Sequence, residues 1–103
     1  MAREDTVIAA KKQARGAVLS MLEDSYPTGL AYRSLEHVMA ATGKCQSHEL
    51  PGIIKSLDVK VYIHVIMAEE PQLNPLANSI IELAAHGVDL LEGSITDDVG
   101  IIF

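Results

Sequence analysis

Four histidines (His37, His48, His64, His86), one cysteine (Cys45) and the two adjacent acid pairs that read as loop residues (Glu69-Glu70 and Asp97-Asp98) are the residues of this chain whose chemistry reaches beyond packing. No two histidines stand three or four apart, the spacing that puts two ligands on one helix face, and the single thiol has no second soft donor beside it. A zinc site is therefore not predicted. Adjacent acids on a loop seldom converge on one proton, and the chain has neither a Gly-rich phosphate loop nor a His-Glu-x-x-His segment. The expectation is a protein without catalysis and without a cofactor. Cys45 follows Lys44, whose ammonium would lower the thiol pKa and open a redox-sensing role; a plain turn cysteine is the simpler reading.

Positive charge carries a clearer pattern. All eight Lys and Arg lie at or before Lys60, against seven acids in the same stretch, whereas residues 61–103 hold seven acids and no Lys or Arg; the net charge is −6. An anionic partner should meet the first part of the chain, because the later part repels phosphate out to a Debye length of roughly 8 Å. Lys11, Lys12, Arg15, Arg33, Lys44, Lys55 and Lys60 are candidates for a basic face suited to phosphate contacts, with an ordinary solvated surface as the alternative. Ser47 and His48 precede an apolar-periodic stretch, where they would touch base edges, bind phosphate through free helix N–H groups, or simply cap.

These residues need elements to hold them. At 103 residues, 49% of them apolar, the chain is sized for one domain that buries roughly two-thirds of its unfolded surface. No apolar run approaches the ~20 residues of a membrane span, and the acidic start Met1-Ala2-Arg3-Glu4-Asp5 lacks an apolar leader, so a cytoplasmic, membrane-free protein is expected. Val7, Ala10, Ala14, Ala17, Val18, Met21 and Leu22 recur at helical spacing and predict a first helix from about Asp5 or Thr6 to Glu23. Gly16 inside it costs roughly 1 kcal/mol relative to Ala, which points to close helix packing. Asp24–Gly29 reads as a turn.

Leu30, Leu35, Val38 and Met39 predict a second helix to Thr42, stopped by Gly43 as a left-handed cap. Leu50, Ile53, Ile54 and Leu57 make the stripe of a third helix, with Gln46 or Ser47 as its cap and Pro51 tolerable only in the first turn. The β-branched stretch Val61–Met67 reads as a strand, 68–74 as a loop, Asn78–Leu83 as a returning strand, and Ala84–Glu92 as a fourth helix ended by Gly93. The apolar terminus Ile101-Ile102-Phe103 asks to be covered.

Helix, short turn, helix and a strand pair is the order of a winged helix-turn-helix, an α+β fold that is mostly α. The segment His48 to Ile63 (HELPGIIKSLDVKVYI) resembles the recognition helix and first wing strand of winged-helix proteins of the broad MarR-like class, where a Leu-x-x-Lys-Gly-Tyr-Ile type segment joins the two. Glu82 to Gly93 (ELAAHGVDLLEG) resembles the second wing strand running into the following helix. In order and size the chain also looks like the small winged-helix proteins encoded in Mu-like phages and prophages, a likeness that covers roughly residues 5–93. The resemblance implies a homodimer that binds double-stranded DNA and regulates transcription or another DNA transaction, contacting it through Arg33, Lys44, Ser47, His48, Lys55 and Lys60. Two departures stand out. Val61 replaces the Gly that turns helix into strand, which predicts an altered or strained turn, and the wing tip Glu69-Glu70-Pro71-Gln72 is acidic and should avoid DNA. A winged-helix module that binds a protein instead of DNA is the alternative, with dimer contacts drawn in either case from the first helix, the fourth helix and the Ile101–Phe103 tail.

Overall fold

A computed structural model describes residues 2–67 and 75–103. Among them, helix α1 (Ala2–Ser25) is followed by a short strand β1 (Leu30–Ala31), helices α2 (Tyr32–Ala41) and α3 (Leu50–Val59), strand β2 (Ile63–Ile66), a 3-10 turn at Pro75–Asn78, strand β3 (Ile80–Leu83) and helix α4 (Ala85–Leu91). The architecture is α+β and mostly helical, with one small antiparallel sheet in the order β1-β3-β2. Leu30 and Ala31 lie opposite Ile81 and Ile80, and Ile63 to Ile66 lie opposite Leu83 to Ile80.

The core forms where the helices close over one face of this sheet. Ala14, Val18 and Leu22 of α1 are spaced four apart and bury together with Leu19, against Tyr32, Leu35 and Met39 of α2 and Leu50, Ile53, Ile54 and Leu57 of α3. Alternation along the strands adds Ile63, Ile81 and Leu83. Two stripe assignments shift. Val38 is 40% exposed, and the buried face of α2 runs through Tyr32, Leu35 and Met39, while Leu30 is spent on β1. Val7 is 48% exposed on the first turns of α1, and Leu19 is buried in addition to the predicted stripe.

Helix α1 begins at Ala2, ahead of the expected Asp5 or Thr6, and the start of α3 also moves. Neither Gln46 nor Ser47 caps it: Glu49 is the N-cap residue, and its carboxylate accepts the Gln46 N–H at 3.1 Å instead. Pro51 falls within the first two helical positions, where no backbone donor is lost.

Helices α2, α3 and α4 end in the same way. In each, the residue after the C-cap is left-handed and the two following N–H groups reach back to the last-turn carbonyls: Gly43 (φ 70°) with Lys44 N–H to Met39 O at 2.9 Å, Gly93 (φ 75°) with Ser94 N–H to Asp89 O at 2.8 Å, and Val61 (φ 63°) with Tyr62 N–H to Leu57 O at 3.1 Å. This pairing satisfies carbonyls that the helix leaves open, and its left-handed position favours Gly. Val61 holds the geometry in spite of its branched Cβ, which confirms the strained turn anticipated there. Val61 is 56% exposed, so little burial is lost on its removal. Val61→Gly should therefore stabilise the protein by about 1 kcal/mol, after the entropy cost of Gly, in urea denaturation. A destabilised variant would show that the turn carries no strain.

The C-terminal segment packs back on its own chain. Ile101 is buried, the Ile102 N–H donates to the Lys12 carbonyl at 3.1 Å, and the Ile102 carbonyl lies where a Cβ of Gly16 would sit. Gly16 thus marks a close approach as predicted, though of the tail rather than of a helix.

Candidate nucleic-acid interface

The Gly43-capped end of α2 and helix α3 place the predicted contact residues on unequal terms. Lys44, Ser47 and His48 are all exposed in the α2–α3 connection, a stretch whose course is set by the Gly43 cap and by the buried anchor Leu50. A groove of about 680 Å³ between α1 and this connection brings Lys44 and Ser47 beside Lys11, Gln46 and Glu49 over an apolar floor that includes Ala14 and Ile53. An adjoining cavity of about 350 Å³ brings His48 beside Lys11, Arg15, Glu49 and Gly52. Lys11, one turn before Arg15 on α1, therefore links the two, and Glu49 is an acid at the edge of both.

Lys55 points elsewhere. It is exposed on α3 and shares an apolar cleft of about 270 Å³ with Pro51, Ile54, Asp58, Val65 and Met67. The outer face of α3 carries Pro51, Gly52, Lys55, Asp58 and Val59, so one cation there is matched by one acid.

Two predicted contacts are already engaged within the chain. Lys60 Nζ donates to both oxygens of Asp98, at 3.0 and 2.8 Å. Arg33 Nε, on α2, donates to the Ala77 carbonyl at 3.2 Å, and Arg33 lines none of the grooves above. Arg15 is likewise held, with Nε on Ser56 Oγ at 3.1 Å and Nη1 on the Gly100 carbonyl at 2.9 Å. The predicted basic face is thus reduced to the exposed Lys11, Lys44 and Lys55 and the half-buried Lys12, whose side chains make no hydrogen bond or ion pair among the described residues. The acidic wing tip Glu69–Gln72 lies outside the described residues.

Asp98 is the residue that a local reading overlooks. Besides Lys60, it accepts the Tyr62 hydroxyl at 2.8 Å and the Gly100 N–H at 2.7 Å. The Lys60 ammonium foremost, then the Gly100 and Tyr62 hydrogen bonds, hold its carboxyl down to about 2, against an ordinary 3.8, in spite of partial burial. Burial first, then Asp98, pushes the Tyr62 hydroxyl up to about 12. Because the folded-state carboxyl is the stronger acid, its contribution is present above about pH 4 and is lost as pH falls toward about 2. With the Lys60 side chain 40% exposed, screening reduces this contribution to about 1 to 2 kcal/mol. Urea titrations at pH 5 should find Asp98→Asn less stable than wild type by that amount, with the gap closing near pH 2. A gap that stays constant across this window would contradict the assignment.

Burial and the nearby Glu49 push the Cys45 thiol up, opposite to the lowering expected from Lys44. His86 stacks flat on Tyr62, with ring centroids 4.9 Å apart and planes within 6°. Among the described residues no group of three His, Cys, Asp or Glu could hold a metal ion, and no helix is long and apolar enough to cross a membrane. Comparison of the chain with protein-family models, curated proteins and solved structures finds no significant match in any of the three.

Proposed function

We propose that this chain is a winged-helix protein that docks on double-stranded DNA as a homodimer, in the manner of a phage or prophage regulator. The observation that carries the reading is the exposure of Lys44, Ser47 and His48 together at the α2–α3 connection, with Lys11 beside them and Lys55 further along α3. Element order supports it too: a helix-turn-helix pair, two antiparallel strands after α3 and the following helix α4 are compatible with the expected scaffold, to which β1 adds a third strand. Phosphate contacts from Lys11 and Lys44 would set the register, while Ser47 and His48 approach the groove.

For the dimer, the apolar surface left over is smaller than the sequence suggested. Leu90 of α4 and Ile101 of the tail are spent on the chain's own core. Val7 and Ile8 on α1, 48% and 49% exposed, and Phe103, 61% exposed, remain for a partner copy.

A protein-binding module is the second reading, favoured by the outer face of α3. Val59 is 70% exposed there, and Met67 at the end of β2 is 51% exposed, both apolar residues where a DNA reader would carry polar ones. Salt dependence separates the two. Fluorescence anisotropy with a short duplex should show steep weakening between about 50 and 200 mM salt, and Lys44→Ala should reduce the log–log slope by about 0.9. Absence of binding at the low-salt end favours the protein module.

A further inference from the structure

We propose that the cleft between α1 and α3 is a phosphate-binding groove whose inner half is filled by the chain's own Asp98. Its walls are two helical rows at four-residue spacing: Lys11 and Arg15 on α1, and His48, Gly52, Ser56 and Lys60 running along and beyond α3. Arg15 bridges them by donating to Ser56 Oγ at 3.1 Å. The outer half is open, a cavity of about 350 Å³ in which Gly52 leaves room and Lys11, Arg15 and His48 supply donors; Glu49 opposes them at its rim.

At the inner end the tail closes the groove. The Asp98 carboxylate receives Lys60 Nζ on both oxygens (3.0 and 2.8 Å), the Tyr62 hydroxyl (2.8 Å) and the Gly100 N–H (2.7 Å), while Arg15 Nη1 donates to the Gly100 carbonyl at 2.9 Å. An ammonium, a phenol and a backbone N–H gathered around one anion form a cradle for oxyanions, with the Arg15 guanidinium beside it on the Gly100 carbonyl, and the tail presents to it the same kind of acceptor that a phosphate would. Lys60 remains 40% exposed, so the internal carboxylate is open to competition from an external anion. Displacing the Asp98–Gly100 turn frees Lys60 and part of Arg15, two cations that the folded chain otherwise keeps to itself.

The shared chemistry is a phosphate group, either free or in a nucleic-acid backbone; only the latter source rests on the DNA reading above. The test is an NMR titration of the full-length protein with inorganic phosphate at constant ionic strength, for wild type, Asp98→Asn and Asp98→Asn/Lys60→Ala. Asp98→Asn should bind phosphate about tenfold more tightly than wild type, with shifts at Lys60, Tyr62 and the Arg15 side chain, and the double variant should lose that gain. Equal affinity in wild type and Asp98→Asn, or a gain that survives loss of Lys60, overturns the proposal. Wild-type protein gives a reading free of any folding defect. Phosphate should speed hydrogen exchange at the Ile101 and Ile102 amides, which donate to the Asp98 and Lys12 carbonyls in the closed tail. Unchanged exchange at these amides, with phosphate at saturating concentration, also overturns it. A parallel arm with short duplex DNA separates the sources: enhanced duplex binding by Asp98→Asn assigns the groove to the DNA backbone. Enhanced phosphate binding without any duplex binding leaves this groove in place while the DNA reading fails.

Discussion

Leu57→Ala should lower the stability of this protein by about 3 kcal/mol, with a fall in Tm of roughly 15 °C. Leu57 is fully buried on the inner face of α3, among the side chains with which α1, α2 and the sheet close the core. Truncation removes its apolar contacts and leaves a cavity that rigid neighbours fill only in part, which places the cost within the range of roughly 2–5 kcal/mol for an aliphatic core residue. Its carbonyl also accepts the Tyr62 N–H, so the turn carrying Val61 depends on the same residue being seated. Thermal denaturation followed by circular dichroism decides the matter. A loss below about 1 kcal/mol would mean that α3 is not packed as described.

Gly16→Ala tests the tail by a change of sign. In an exposed helix interior, Gly to Ala stabilises by roughly 1 kcal/mol, because Ala restricts the unfolded backbone and favours the helix. Here the added methyl would meet the Ile102 carbonyl, a backbone atom that cannot rotate away, so the tail must lift as a unit. Lifting it exposes Ile101 and breaks the Ile102 to Lys12 hydrogen bond. The expected result is destabilisation by about 2 kcal/mol, together with rapid amide exchange at residues 101 and 102. Gly16→Val should cost more. A stabilised Gly16→Ala protein would place the tail elsewhere.

How far the fold could be read in advance depended on the range of the interactions involved. Helix α3 was legible because Leu50, Ile53, Ile54 and Leu57 recur at helical spacing and all four are buried. The breaks at Gly43 and Gly93 were legible because a left-handed cap selects Gly, and the Val61 strain because the same geometry rejects a β-branched residue. Strand β1 was not, since two residues carry no periodicity and Leu30 fits the first turn of a helix as well as a strand. On α2, Leu35 and Met39 are buried as expected, with Tyr32 beside them in place of Val38.

The candidate interface was less legible than the fold, because charge pairing is a long-range property. Lys60 and Asp98 are 38 residues apart, and Arg15 and Gly100 are 85 apart, so no local pattern announces that two of the cations are already held. Asp97-Asp98 reads as an adjacent acid pair on a loop, yet Asp98 is the anchor of the tail. Lys44, Ser47 and His48 were legible because sequence proximity alone brings them together in one turn.

The central claim is that the α2–α3 connection is the surface that meets DNA. The most direct measurement is an NMR titration of labelled protein with a short random duplex at about 50 mM salt, where backbone binding is strongest. Chemical-shift changes should concentrate at Lys11, Lys44, Ser47, His48 and Lys55, vanish on raising the salt to about 300 mM, and leave α4 unperturbed. Shifts that instead centre on Val59 and Met67, or no shifts at all, would contradict it.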